Sequence, residues 1–231
     1  LTRLGNPRCS LRHAVDGVTG RAGGDMRQRG LRLRIKRSFD IAVASAALVA
    51  TAPVMAGTGV AVWASMGRPV LFTQQRVGRD DQVFRILKFR TMRAPRDPGN
   101  PEPDAQRITR VGRFLRRTSL DELPQLVNIV RGDMSLIGPR PLLVRYLPRY
   151  SATQRRRHEV LPGLTGWAQV NGRNASSWER KFADDVWYVD HWSLRLDARI
   201  LFRTVSTVLR RDGVSAAEHV TMPEFMGSAG A

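Results

Sequence analysis

Between Thr118 and Leu143 the chain reads TSLDELPQLVNIVRGDMSLIGPRPLL, and two adjacent carboxylates, Asp121 and Glu122, stand there among Arg116, Arg117, Arg131 and Arg140. A carboxylate pair amid arginines beside a helix N-terminus, itself a natural anion site, suits phosphoryl chemistry on a nucleotide diphosphate. One carboxylate can attack phosphorus while the other holds Mg²⁺ or handles a proton. A purely structural explanation competes with this. Ser119 and Glu122 have the S-x-x-E spacing of a capping box, and acids in a first helical turn are favoured by the macrodipole. The helix would then run through Leu126, Val127 and Val130, with the acids serving only as its cap. Pro124, best tolerated in a first turn, instead allows a later helix start that leaves the acids partly free. Further on, Gly138-Pro139-Arg140-Pro141 fixes φ on either side of an arginine, which suits holding a guanidinium against phosphate. A stiff turn after a strand would explain the same residues structurally.

Something must bring these groups to their substrate, and the most distinctive positioning element is the uncharged run IAVASAALVATAPVMAGTGVAVWASMG, from Ile41 to Gly67. About 20 apolar residues suffice for a transmembrane helix, but Pro53 near the centre cannot donate the helical hydrogen bond. Arg27, Arg29, Arg32, Arg34, Lys36 and Arg37 precede the run, and Arg68, Arg76, Arg79, Arg85, Lys88 and Arg90 follow it. The positive-inside rule assigns both flanks to the cytoplasm. A straight span satisfies one flank; a helix broken at Pro53 that enters and leaves by one leaflet satisfies both. The alternatives are an ordinary spanning helix with a tolerated kink and a buried core helix.

The remaining chain alternates short elements. Val70–Met92 reads as a two-stranded hairpin around a Gly-Arg-Asp-Asp turn, and Ala94–Gln106 as a loop. A helix follows from Ile108, with Val111, Phe114 and Leu115 on one face. Tyr146–Arg157 reads as a basic, solvated or headgroup-facing helix. Leu161–Asn174 reads as strand, turn and loop, with Trp167, Asn171 and Arg173 placed to contact a base, ribose or phosphate, although a tryptophan such as Trp167 is more often a core residue than a ligand contact. Trp178–Trp192 is an aromatic helix carrying Asp184 and Asp185, suited to a membrane interface or to the core. Ser193–Arg211 is amphipathic, with Leu194, Leu201, Val205, Val208 and Leu209 on one side and Arg195, Arg199, Arg203 and Arg210 on the other. The tail from Asp212 is polar and expected to be flexible.

Composition narrows the function classes. The 231 residues carry a formal charge of +18, which favours an anionic partner, and the apolar run beside the charge points to lipid. The single cysteine, Cys9, permits no internal disulfide. Residues 1–30 are rich in Gly and Arg without apolar periodicity, so little order is expected. Met26, just ahead of the basic cluster, is a candidate start, and this stretch does not have the layout of a secretory signal. No zinc pattern, P-loop, G-x-G-x-x-G or H-E-x-x-H occurs.

Taken together, KRSFD, the apolar run with its Ala-Pro, FTQQRVG, LKFRTM, SLDELPQL, RGDMSLIGPRP, PGLTGWAQVNGRN and DVWYVDHWSLRLD resemble the bacterial sugar transferase family, the small monotopic polyprenol-phosphate phosphoglycosyltransferases. The likeness covers Arg34 to Phe225. The tail DGVSAAEHVTMPEF is most similar to the subgroup using UDP-diacetylbacillosamine-type sugars. The resemblance implies an α/β, monotopic membrane protein with three parts: a basic extension over 1–30, a re-entrant helix over 31–67 broken at Ala52-Pro53, and a cytoplasmic domain over 68–231 with surface helices in the headgroup layer. It implies that Asp121 attacks the β-phosphorus of a UDP-sugar, expected to be an N-acetylated amino sugar. UMP leaves, and the phosphosugar passes from the aspartate to undecaprenyl phosphate. Mg²⁺ at Asp121 and Glu122 would neutralise the diphosphate. Arg116, Arg140 and Arg173 are the expected phosphate contacts, with Asn171 and Asp185 as further substrate-binding candidates. Partners would be inner-membrane lipid on the cytoplasmic face and downstream glycosyltransferases, not nucleic acid. The break in close relatives is often Ser-Pro, so a hydroxyl that bonds back to its own helix is missing at Ala52. The rival reading is a non-catalytic basic membrane-anchored adaptor binding anionic lipid or nucleic acid.

Overall fold

A computed structural model describes residues 22–95, 97, 103–171, 177–210 and 224–227. The chain divides into two compact units, Leu1–Lys36 and Arg37–Ala231. Helix α1 spans Ala22–Met66. It begins inside the stretch expected to lack order, because Met, Arg, Gln and Leu are good helix formers and extend a helix nucleated by the apolar run. From Gly30 to Met66 it is long and apolar enough to cross a membrane.

The helix runs on past Pro53, so the expected helix-break-helix is one helix with a proline inside it. One residue before Ala52, the Thr51 hydroxyl donates to the Ala47 carbonyl at 2.7 Å. This is the back-bond that a serine at position 52 was expected to supply, moved by one residue. Within the second unit, each half of α1 has its own seat. Ala44 is fully buried in the main core with Ile86, Leu126, Ile129 and Met134. Val62 is fully buried with Phe89 and Leu115. Between them Val49 is 77% exposed. Polar locks fix both seats. Arg37 donates to the carbonyls of Ile129 at 2.6 Å, Val130 at 3.1 Å and Met134 at 3.2 Å. Buried Asp40 accepts from the Ser135 hydroxyl at 2.7 Å. At the far end Arg90 donates to the carbonyls of Met66 and Gly67.

Strands β1 (Leu71–Val77) and β2 (Val83–Phe89) form the expected antiparallel hairpin, in register from Leu71 opposite Phe89 to Val77 opposite Val83. Short α2 (Asp104–Arg107) falls within the stretch expected as a loop, part of which lies outside the described residues, and α3 (Arg110–Thr118) starts on a Thr109 cap. A 3₁₀ turn over Leu120–Glu122 leads to α4 (Gln125–Arg131). Strand β3 (Ser135–Ile137) pairs in parallel with β4 (Gly163–Thr165). The mixed helix and sheet class is thus realised in two separate two-stranded sheets.

Three local expectations change. The stretch expected as one basic helix is split by Pro148 and by a Ser151 capping box into a 3₁₀ segment (Val144–Arg149), α5 (Ala152–Arg155) and a second 3₁₀ segment (Arg156–Glu159). Arg157 and His158 are buried, not solvated. After β4, helix α6 (Trp167–Asn171) replaces the expected turn and loop. Helix α7 (Trp178–His191) matches the aromatic stretch, and α8 (Leu194–Arg210) the amphipathic one. Helix α8 buries Leu196 and Ile200, while Leu194 and Val205 of the expected apolar side are exposed, as is Phe202. Its arginine face is therefore not the only exposed one. Most of the tail expected to be flexible, and the side chains of Val208, Leu209 and Arg210, lie outside the described residues.

Candidate active site

Ser119 ends α3 in the left-handed region, with φ of 56°, and its side chain makes no cap bond to the 3₁₀ turn. The capping box is therefore not formed. The Glu122 carboxylate turns away from the helix start, and its Oε1 accepts from Lys88 Nζ at 2.6 Å and from Arg140 Nη2 at 2.7 Å. Burial alone would raise the Glu122 pKa, but Arg140 and Lys88 outweigh it and hold the carboxyl far below its usual range. Glu122 is a permanent anion whose charge also raises the pKa of Arg140. Burial pushes Lys88 down, against the pull of Glu122.

Asp121 has the opposite setting. It is buried, and among the described residues no donor bonds its carboxylate. Burial and the neighbouring charge of Glu122 push its pKa up to about 6, with Lys88, Arg116 and Arg140 pulling the other way. Adjacent carboxyls whose environments separate their pKa values take different chemical roles. The structure thus distinguishes an unpartnered, adjustable Asp121 from a pinned Glu122.

Arg116 sits in the last turn of α3, its Nε donating to the Thr91 hydroxyl at 3.1 Å. Arg140 is carried by a turn sewn to β4. Gly138 N–H donates to the Thr165 carbonyl and Gly163 N–H to the Pro139 carbonyl, both at 2.9 Å. The two backbones approach so closely that a Cβ on Gly138 would lie 2.3 Å from the Leu161 carbonyl oxygen. The expected cations Arg116 and Arg140 are therefore brought to the dyad.

Other expected residues are not brought there. Asp185, expected to bind substrate, is buried on α7 and accepts from Arg157 Nε and Nη2 at 3.0 and 2.7 Å. An aspartate sealed against an arginine cannot touch a ligand. Asn171 is exposed and accepts from Arg203 of α8 at 2.9 Å. Trp167 packs against the main core and stacks on Trp187 with ring centres 4.6 Å apart. Arg173 lies outside the described residues. Sequence reasoning missed Lys88, whose signal is a lysine inside the apolar strand segment RILKF. It also missed Arg76, half-buried beside Arg140, whose pKa burial and that like charge lower to about 10. Arg157 carried no signal within the run RRR.

For a metal, no group of three or more His, Cys, Asp or Glu is assembled among the described residues. Mg²⁺ commonly needs only one or two carboxylates, with substrate phosphates and water completing its shell. Asp121, free of donors, fits that requirement. At Glu122 the Oε1 already accepts from two cations, which leaves Oε2 as its remaining oxygen.

Residues 31–211 match the family described as bacterial sugar transferase. The chain is 52% identical over 195 residues to an uncharacterized sugar transferase, EpsL, of Bacillus subtilis (strain 168), covering 84% of this chain and 96% of that protein. It is 40% identical over 211 residues to a UDP-glucose:undecaprenyl-phosphate glucose-1-phosphate transferase of Caulobacter vibrioides, covering 84% and 77%. A Salmonella typhimurium undecaprenyl-phosphate galactose phosphotransferase is 40% identical over 200 residues, covering 78% of this chain but 41% of that longer protein. The dyad, the arginines around it and the membrane-length helix all lie in or overlap the matched region, and the chain belongs to the bacterial sugar transferase family.

Proposed function

We propose that this protein transfers a sugar 1-phosphate from a UDP-sugar to undecaprenyl phosphate and releases UMP. The observation that carries the reading is the division of labour at Asp121 and Glu122 within a ring formed by Lys88, Arg116 and Arg140. Ionised Asp121 attacks the β-phosphorus, the bond from that phosphorus to the bridging oxygen breaks, and UMP departs with the electron pair. A phosphate oxygen of undecaprenyl phosphate then attacks the same phosphorus and releases the aspartate, so each step forms and breaks one P–O bond. Arg116, Arg140 and Lys88 offset the charge that develops on the diphosphate. Glu122, permanently ionised, is a poor proton donor and serves to hold Lys88 and Arg140 in place. When bound, Mg²⁺ would neutralise the diphosphate, with Asp121 and the second oxygen of Glu122 as its protein ligands.

The reaction is read at the cytoplasmic face of the bacterial inner membrane, with α1 dipping into one leaflet. Its support is that both halves of α1, at Ala44 and Val62, are seated on one globular unit while Val49 is exposed between them. The donor is expected to be an N-acetylated amino sugar of the diacetylbacillosamine type. Relatives named for glucose and galactose make those the necessary comparison. Purified protein with undecaprenyl phosphate and Mg²⁺ should release UMP from at least one member of a panel of UDP-hexoses and UDP-N-acetylated amino sugars. Asp121→Asn should abolish that release and any radiolabelled phosphosugar held by the protein. Undiminished release by the variant would overturn the nucleophile assignment and favour the adaptor reading, in which Asp121 is silent.

A further inference from the structure

The turn that carries Arg140 is short of donors. Pro139 and Pro141 have no N–H, so neither can donate a backbone hydrogen bond to hold it, and only the Pro139 carbonyl is tied back, to Gly163 N–H. The carbonyls of Arg140 and Pro141 are instead taken by side chains. Arg157 Nη2 donates to the Arg140 carbonyl at 2.7 Å, and Arg76 Nη1 reaches the Pro141 carbonyl at 3.4 Å. The Arg157 bond is the shorter of the two, and its donor is one of the most enclosed cations of the unit, 2% exposed.

Arg157 is held from three sides. Asp185 accepts from its Nε and Nη2, the Tyr150 hydroxyl lies 3.3 Å from its Nη1, and the Phe182 ring centre is 5.5 Å from its guanidinium carbon. Burying such a pair is costly, and apolar residues of the same volume would often serve stability as well. What apolar residues cannot supply is a rigid donor aimed at a proline-flanked carbonyl. Nη2 serves Asp185 and the Arg140 carbonyl together, so the aspartate sets the angle at which the guanidinium meets the turn.

We infer that Asp185 and Arg157 are positioning residues for the donor-binding arginine: Asp185 orients Arg157, Arg157 fixes the backbone of Arg140, and Arg140 thereby meets Glu122 and the substrate diphosphate. This rests on the proposed transfer reaction, in which Arg140 contacts the donor. It assigns Asp185 a role that acts through a neighbour, in place of the substrate contact expected for it. Lysine at 157 keeps the charge beside Asp185 but cannot bond the aspartate and the carbonyl with the planar fork of arginine.

The test is a double-mutant cycle on the full-length protein in detergent, using Arg157→Lys, Asp185→Asn and Arg140→Ala, alone and in pairs. UDP-sugar affinity is measured by titration calorimetry, KM and kcat by UMP release, and folding by thermal melts. Arg157→Lys should weaken UDP-sugar binding and raise KM about tenfold, the loss of one charge-assisted hydrogen bond. In the Arg140→Ala background the same substitution should change binding less than twofold. A purely structural role would lower the melting temperature and the active fraction equally in both backgrounds and leave KM unchanged, which overturns the inference. Wild-type-like binding by folded Arg157→Lys also overturns it, while leaving the transfer reaction intact. A wild-type protein that binds no UDP-sugar overturns both readings together. Asp185→Asn is expected to follow Arg157→Lys in the cycle; if it fails to fold, the lysine variant decides.

Discussion

Asp121 and Glu122 are neighbours in sequence with opposite electrostatics, and that contrast sets the pH behaviour expected of the protein. Asp121 ionises at about 6, raised by burial and by Glu122. In the proposed reaction Asp121 must be deprotonated to attack, so kcat/KM for UMP release should fall as pH drops through about 6 and then decline about tenfold per unit below it. Replacing Glu122 by Gln removes an anion that raises the Asp121 pKa, so the acid limb should move to lower pH. The same change releases Lys88 and Arg140 from a shared oxygen, so the plateau rate should fall by roughly 10²-fold. A pH–rate profile of Glu122→Gln against wild type checks both; an acid limb that moves upward would contradict the assignment. The dyad and its arginines were legible as a cluster in TSLDELPQL and GPRP. Lys88 and Arg157 were not, because the contacts that matter join residues 34 and 17 positions apart.

At the scale of elements, the turn at Gly138 and the middle of α1 are the places where one atom matters most. Gly138→Ala places a Cβ 2.3 Å from the Leu161 carbonyl oxygen. The turn must shift to admit it, so a loss of about 1–3 kcal/mol in stability is expected from overpacking, read by thermal or denaturant unfolding, with UMP release falling more than stability alone explains. In α1, Pro53 leaves the Val49 carbonyl without its helical donor, and the Thr51 hydroxyl bonds back to Ala47 at 2.7 Å. Back-bonding of this kind bends helices. Thr51→Val should alter the course of the helix at Pro53 and lower the membrane-embedded activity, while Ala52→Ser should change little because Thr51 already supplies the hydroxyl. Spin-label distances between positions 44 and 62 read that change, and an unchanged distance in Thr51→Val would remove Thr51 from that role. The short elements after β3 were read less well from sequence. Their boundaries depend on Pro148 and the Ser151 cap, and their burial on long-range partners such as Asp185.

For the whole molecule, the placing of both halves of α1 on one globular unit has a topological consequence. Single cysteines at Phe39 and Ala64, in a Cys9→Ser background, should both react with a membrane-impermeant thiol reagent in inverted membrane vesicles and not in spheroplasts. Reaction of one of them from the periplasmic side alone would make α1 an ordinary span. The outward face of α8, with Phe202 76% exposed and Val205 50% exposed, provides apolar surface on the same unit. Acidic residues at 202 and 205 should weaken membrane binding and slow transfer to a lipid-embedded acceptor, with little effect on thermal stability since neither side chain is in the core.

By itself the sequence determined what depends on neighbours: a membrane-length apolar helix from its uninterrupted run, a hairpin around Gly-Arg-Asp-Asp, paired acids beside arginines, and blocks similar to one enzyme family along most of the chain. Tertiary structure decided what depends on distance through space. It turned Glu122 away from the helix cap and onto Lys88 and Arg140, sealed Asp185 against Arg157, and seated the two halves of α1 on two separate apolar clusters. The physical reason is that hydrophobic periodicity and backbone propensity are local quantities. Desolvation and charge pairing, which set the role of each carboxylate, are fixed only when strands and helices far apart in the chain close around it.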